Sequence, residues 1–586
     1  MTVSASVHTR AAASVNLAEA RYKGFQPAST VLRAGFRYQR GALPLPCDVV
    51  RDKDVALALR DGTTIYADVF RPAIDSPVPA IVNWAPYGKG DTGFWTLDNK
   101  KMFPNRFGIR RSAVSGLQSW EGNDPAYWCT QGYAVVQVDP RGVFDSEGDI
   151  QYMTSVEGLD GRDAVEAIAA LPWCSGKVGL AGNSWLATSQ WHTGSQQPSH
   201  LAAIAPWEGL TDLYREVLAR GGVPRTAFAG FVRDKMYGRG RVEDPIAMLE
   251  DHPLFDNYWA DKLPDLSRIQ VPAYVVASYS NPLHVASTLR NWADLPGEKW
   301  LRIHNSHEWP DFYDRRNVED LRRFFDRYLR GIDNGWEATP RVRVSVLDPG
   351  HADTVERVEE AFPPSRVTAT ELYLDARDHS LREEPVAVEA TTGYRLADDA
   401  SHVDFTYRFE TDTEVIGYPV LIVWASVQGH DDGDLHVHVE KLDARGRQLW
   451  HQLVTLGLPL ARTWMPIARR HGLKQVAPAF YGGPHGALRL SRRGLDPASP
   501  ADRPTLGLRE ERRLSPGEVV EAAIPLWPTA MRWHTGEQLR LRISGRLLLP
   551  SILPGLVEEP PQPGDRHILK TGRGYPSRLL LPSTAV

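Results

Sequence analysis

Cysteine is scarce in this chain: Cys47, Cys129 and Cys174 are the whole supply in 586 residues. Three thiols cannot form a disulfide framework, which points to a reducing compartment. No Cys-x-x-Cys pair or Cys/His cluster suggests a metal site, and neither metal nor cofactor is expected. Long apolar runs are missing too. Nothing approaches the roughly 18 apolar residues that span a membrane, and the N-terminal stretch lacks the apolar core of a signal peptide. Net charge is only −5, so there is no electrostatic case for nucleic acid or an anionic membrane as partner. These absences leave a cytoplasmic globular enzyme as the expectation.

Tryptophan, by contrast, is plentiful, with 18 residues. Many lie between Trp84 and Trp309, which suits aromatic-lined pockets as well as ordinary core packing. The chain is too long for one hydrophobic core, so two to four domains are expected. Residues 1–45 show little periodicity and read as an extension over the surface. Within 46–207, alternating strands at Val55–Leu59 and Thr64–Phe70 flank a turn at Asp61-Gly62. Short apolar strands follow at Pro79–Trp84, Tyr133–Val138 and Leu201–Pro206, with a helix over 158–173 between them. Strands that are apolar on both faces and alternate with helices predict a mostly parallel sheet covered on both sides. Residues 208–269 read as amphipathic helices without a clear strand, an inserted cap. Strands resume at Val271–Ala277 and Lys299–Ile303, and a helix at Asn317–Leu329 closes the core at 335. From 336 to 586 the pattern is all-β, a sandwich or jelly roll.

The stretch Lys177–Trp191 carries the chemistry. A buried strand stops at Gly182-Asn183-Ser184-Trp185, and a helix begins at Leu186. A serine at a strand-to-helix corner, with glycine two places before it, is how a nucleophile is exposed above a sheet. The triplet is common, however, and Leu186 stands where the usual pattern has a second glycine.

Further landmarks accompany it in order: Arg60-Asp61-Gly62, Asp139-Pro140-Arg141-Gly142 with Ser146 and Gly148, and Pro172-Trp173 before Gly176-Lys177-Val178-Gly179. Gly486-Ala487-Leu488-Arg489, Ser491-Arg492-Arg493 and Gly536 with Leu539–Ile543 follow in the β region. Together these resemble the cocaine-esterase and X-prolyl dipeptidyl-peptidase group of α/β-hydrolases. The resemblance implies an α/β-hydrolase core, a helical cap and a C-terminal jelly roll. It also implies hydrolysis of an ester or amide through an acyl-enzyme on Ser184. The oxyanion donors it implies are the backbone N–H of Trp185 and the hydroxyl of Tyr87.

For the general base, the loop after the last core strand offers His304 and His307, and the family position corresponds to His307. His307-Glu308 does not open a zinc H-E-x-x-H helix, because Pro310 and Asp311 follow. The family's aspartate falls on Asn281, which cannot offset an imidazolium. Three readings are open: Glu308 or Asp311 orients the histidine; Asn281 does so with weakened hydrolysis; or the site performs acyl transfer. His284 reads as a loop histidine. Glu208, Asp212 and Glu216 could anchor a substrate amine, and a solvated helix face explains them equally well. His436 and His438 beside Asp431, Asp432 and Asp434 read as a solvated strand end before a metal site. The expected substrate is a small ester or amide with a bulky apolar or aromatic acyl group. A dipeptidyl aminopeptidase or a biosynthetic acyltransferase is the alternative, and a silent binding protein using the jelly roll is the non-enzyme one. A homodimer is the expected assembly.

Overall fold

The computed structural model describes residues 7–90, 92–99, 104–398, 400–453, 467, 479–549 and 564–586. Apolar runs bounded by turns build one large sheet, whose strands we number β1 Ala28–Leu32, β2 Val49–Ala58, β3 Thr64–Pro72, β4 Val78–Trp84, β5 Ala134–Asp139, β6 Cys174–Asn183, β7 Leu201–Trp207, β8 Ala273–Ser278, β9 Lys299–His304, β10 Val342–Val346 and β11 Thr354–Glu359. Their order across the sheet is β11-β10-β9-β8-β7-β6-β4-β5-β3-β2-β1. The run from β10 to β5 is parallel, and antiparallel strands flank it on both sides. Successive residues feed opposite cores, as strand pleating requires. In β7, Ile204 joins one core while Ala203 and Ala205 join the other.

Helices α1 (Ser155–Ala169), α2 (Trp185–Ser195), α3 (Val285–Asp294) and α4 (Arg315–Arg330) connect these strands. Helix α1 starts where the Thr154 side chain accepts from Glu157 N–H, a helix-capping bond. Helix α4 presses Phe325 and Leu329 onto Gly179 of β6, where an added Cβ would sit 2.9 Å from Leu329. From Thr368 onward strands such as Gln538–Ser544 alternate between buried and partly exposed positions and form the expected all-β domain.

Three boundaries differ from expectation. The N-terminal extension is woven into the fold. Thr9–Ala11 pairs with Arg241–Glu243, Ala13–Ser14 pairs with Tyr237–Gly238, and β1 forms the sheet's edge. Ala20, fully buried, accepts a hydrogen bond from Gly93 N–H at 2.7 Å. The cap is less helical than its pattern suggests. Helices form at Ala227–Arg233 and Pro245–Asp251, but Tyr214–Leu218 is a single π-helical turn followed by the strand Ala219–Arg220. Gly221 and Gly222, both left-handed, and Pro224 turn the chain there. Finally, β10 and β11, expected in the β domain, extend the large sheet, because β10 pairs in parallel with β9.

One buried cation ties the sheet to the loop after β4. Lys89 is 8% exposed, and its Nζ lies 2.5 Å from Asp54 Oδ1 and 3.5 Å from Asp68 and Asp139. Asp54 reaches it from a bulge in β2, where its φ is 51° and the pairing with β3 shifts register. Burial alone would lower the Lys89 pKa, but Asp139, Asp68 and Asp54 raise it. Lys89→Met would leave these buried carboxylates facing one another. The expected loss is about 3–5 kcal/mol of unfolding free energy, measured by denaturant titration.

Candidate active site

Ser184 sits between β6 and α2 with φ 57° and ψ −119°, a conformation side chains rarely adopt. Such strain stores on the order of 1–3 kcal/mol and persists only when neighbours enforce it. Here Ser184 N–H donates to Glu208 O at 3.2 Å. Gly182, two residues earlier, has no room for a side chain: a Cβ would lie 2.5 Å from Leu186 Cβ. The corner therefore needs glycine at 182, as expected, and tolerates Leu186 because that side chain packs beneath it. Trp185 opens α2, so its backbone N–H has no intrahelical acceptor and lies at the positive end of the helix dipole.

Tyr87 Oη lies 3.4 Å from Ser184 Oγ. Burial and the Glu121 carboxyl push the Tyr87 pKa well above its usual value, so the hydroxyl keeps its proton and can donate. Gly93 packs against this loop so closely that a Cβ would meet Tyr87 O at 1.9 Å. Glu157 holds the other donor: its Oε1 accepts from Trp185 Nε1 at 2.8 Å and Trp84 Nε1 at 3.1 Å. Burial pushes the Glu157 pKa up to about 7.

His307 is half-buried at the start of the short helix Glu308–Phe312. Its Nδ1 accepts from Trp309 N–H at 3.5 Å, and its ring lies 4.9 Å from Phe107 and 4.5 Å from Trp309. Asn183 Nδ2 donates to Glu308 O at 3.3 Å, tying this turn to the nucleophile corner. The imidazole does not hydrogen-bond Ser184 Oγ, whose side-chain contact is Tyr87. Burial and the neighbouring His304 lower its pKa to about 3.

None of the three candidate orienting groups hydrogen-bonds His307. Asn281 Nδ2 donates to Glu308 Oε2 at 2.6 Å. Asp311 is taken by the buried Arg302 guanidinium and by Asn317. The histidine with a carboxylate is His304, 3% exposed, whose Nε2 lies 2.6 Å from Glu208 Oε1. Glu208 also accepts from Ser278 Oγ at 2.9 Å. Glu208, Asp212 and Glu216 thus lie on no solvated face. All are buried; Asp212 pairs with Arg215 and Glu216 with Arg290. His284 lies in the turn before α3, a loop histidine as expected, and it is buried; burial with nearby Arg220 lowers its pKa to about 3. His436 and His438, 2% and 5% exposed, belong to an interior strand instead of a solvated end.

The site holds one acid that pattern reading passed over, Glu121. Glu121 Oε1 accepts from Trp309 Nε1 at 2.7 Å, while its buried Oε2 has no partner. Burial and Glu208 raise the Glu121 pKa to about 8 against the Trp309 and Trp120 indoles. Glu308 is pushed well up by burial, Glu208 and Glu121. A signal was present: Trp-Glu-Gly occurs at both 120–122 and 207–209, and both glutamates adopt positive φ, 60° and 52°. Aromatic rings cluster nearby. Trp95 lies 5.8 Å from Tyr87 and 5.7 Å from Phe231 of the cap, and Trp120 lies 5.0 Å from Trp309.

Comparison with known proteins finds relatives of the chain. Residues 61–245 match the family described as X-Pro dipeptidyl-peptidase (S15 family), and residues 334–579 match the X-Pro dipeptidyl-peptidase C-terminal non-catalytic domain. A cocaine esterase of Rhodococcus sp. is 32% identical over 162 residues, 28% of this chain and 24% of that one. A putative serine esterase of Mycobacterium tuberculosis is 29% identical over 171 residues, 28% and 26% of the two chains. The matched stretch is thus about a quarter of these curated relatives' length. The crystal structure of a CocE/NonD family hydrolase from Staphylococcus aureus is 30% identical and superposes with a TM-score of 0.84, covering 95% of this chain and 97% of that one.

Glu121 gives a pH test. The folded protein holds its proton to about pH 8, whereas the unfolded chain releases it near the ordinary 4.5. Between these values the folded state binds more protons, so stability falls as pH rises. Glu121→Gln is expected to flatten the decline in Tm between about pH 5 and pH 8 relative to wild type, read by calorimetry.

Proposed function

The chain belongs to the CocE/NonD family of hydrolases, and from that footing we propose that it is a serine hydrolase of small-molecule esters or amides. The observation that carries the proposal is Ser184 at a strained corner with the Tyr87 hydroxyl 3.4 Å away. In this reading Ser184 Oγ attacks the substrate carbonyl carbon and its proton passes to His307. The new oxyanion accepts hydrogen bonds from Tyr87 O–H and Trp185 N–H. His307 then returns the proton to the departing alcohol or amine, which leaves an acyl group on Ser184. Water, deprotonated by the same imidazole, releases the acid and restores the serine.

His307 takes the base role here because Asn183, next to the nucleophile, bonds the carbonyl next to His307, and because both ring nitrogens of His304 are occupied, Nε2 by Glu208 and Nδ1 by Ser306 N–H. With Asn281 bonded to Glu308, no carboxylate among the described residues hydrogen-bonds His307 to stabilise an imidazolium. In a serine protease the Asp→Asn change lowers kcat by about 10⁴, so modest turnover is expected here. The Trp95, Trp120, Phe231 and Phe107 rings favour a bulky or aromatic acyl group. One observation favours an amine-bearing substrate, as in an aminopeptidase: Glu121 Oε2 has no hydrogen-bond partner and lies near the Glu208 and Glu308 carboxyls, so a substrate ammonium there would replace the proton that Glu121 otherwise holds.

A fluorophosphonate probe tests the nucleophile directly. Wild-type protein should take up one label, and Ser184→Ala should take up none; equal labelling of both would refute the proposal. With an activated aryl ester, Tyr87→Phe should lower kcat/KM by about 10²–10³. His307→Ala should be slower still than His304→Ala, and the reverse order would assign the base to His304.

A further inference from the structure

Away from the serine, the large sheet hands over to the β domain at a cluster of titratable side chains. Asp348 and His351, in the turn after β10, meet His534, in the turn between the strands Thr529–Trp533 and Gln538–Ser544. One ligand atom from each lies within 4.8 Å of the other two, and the two imidazole centroids are 4.2 Å apart. His534 Nε2 is 2.8 Å from Asp348 Oδ2, and His534 Nδ1 is 3.2 Å from Asp412 Oδ2. His351 Nε2 is 3.3 Å from Glu537 Oε1.

The charges around this cluster do not cancel. Lys441, fully buried, places Nζ 2.7 Å from Asp348 Oδ1 and 3.0 Å from Glu537 Oε2. Arg532 lies 2.9 Å from Asp412 Oδ2. Three carboxylates face two cations, which leaves one negative charge beside two imidazoles. Lys441 also occupies Oδ1 of Asp348 and so leaves Oδ2 on the histidine side.

We propose that Asp348, His351 and His534 bind one Zn²⁺ or a similar borderline divalent ion through a carboxylate oxygen and one nitrogen from each imidazole. Two nitrogens and one carboxylate suit such ions, whereas Ca²⁺ and Mg²⁺ take oxygen ligands. The ion takes the place on His534 Nε2 that faces Asp348 Oδ2, and the neutral imidazole carries its single proton on Nδ1. Nδ1–H of His534 stays on Asp412, the outer carboxylate arrangement that orients a ligating histidine. Zn–N bonds of about 2.0–2.1 Å require the three groups to draw together. His351, with 48% of its side chain exposed, is free to make that move and leaves a side open for a water ligand. The ion joins two turns 186 residues apart in sequence, one on each domain.

The test uses untagged full-length protein, stripped with chelator and titrated with ZnCl₂. Calorimetry and elemental analysis after desalting should give one equivalent bound, with a rise in Tm. His351→Ala should weaken binding by about 100-fold or more and abolish the Tm rise, and Asp412→Asn should weaken it by about 10–100-fold. No stoichiometric uptake overturns the proposal. So does uptake unchanged in His351→Ala, or Ca²⁺ binding as tight as Zn²⁺. His351→Ala, at an exposed position, decides the matter if His534→Ala does not fold.

Discussion

The left-handed backbone of Ser184 is the constraint on which the rest of the site depends. It holds because three separate elements meet there: Gly182 admits the Leu186 side chain, Glu208 O receives the serine N–H, and Asn183 reaches the turn carrying His307. The same corner starts α2, and thereby sets the Trp185 N–H at a helix N-terminus. Position of the nucleophile and position of one oxyanion donor are therefore a single fact about the backbone. The second donor, Tyr87, comes from the far side through a loop anchored by Lys89 beneath it.

Around this corner the protein buries carboxyl groups rather than pairing each with a cation. Glu157 is given two indole N–H donors, Glu121 one, and Glu308 an amide. Desolvation favours the neutral form of such groups, so the region behind the serine carries less negative charge than its glutamates suggest. That spares the developing oxyanion from repulsion. It also explains why no carboxylate among the described residues is available to His307, since the acids nearby are engaged elsewhere or protonated.

The core was legible because its strands are apolar on both faces and its nucleophile corner has a short, local signature. Val271–Ala277 and Lys299–Ile303 needed only small boundary shifts, and Tyr87 fell in reach of Ser184 as expected. The cap was harder. Leu210–Arg220 has helical spacing, yet Gly221, Gly222 and Pro224 end it after one turn. Glu121 and the pairing of Glu208 with His304 were hidden because burial and long-range partners, not local pattern, decide them. The strands β10 and β11 read as β domain for a similar reason: an alternating run does not announce which sheet it will join.

The N-terminal segment touches the cap through Thr9–Ser14, the Tyr87 loop through Ala20, and the sheet's edge through β1. It works as a leash with three knots. A cap that swings outward must either unpair the first knot or pull on the second, which holds the loop of an oxyanion donor. The cap, the loop of an oxyanion donor and the edge of the sheet are thus joined by one stretch of chain that contributes no side chain to the chemistry.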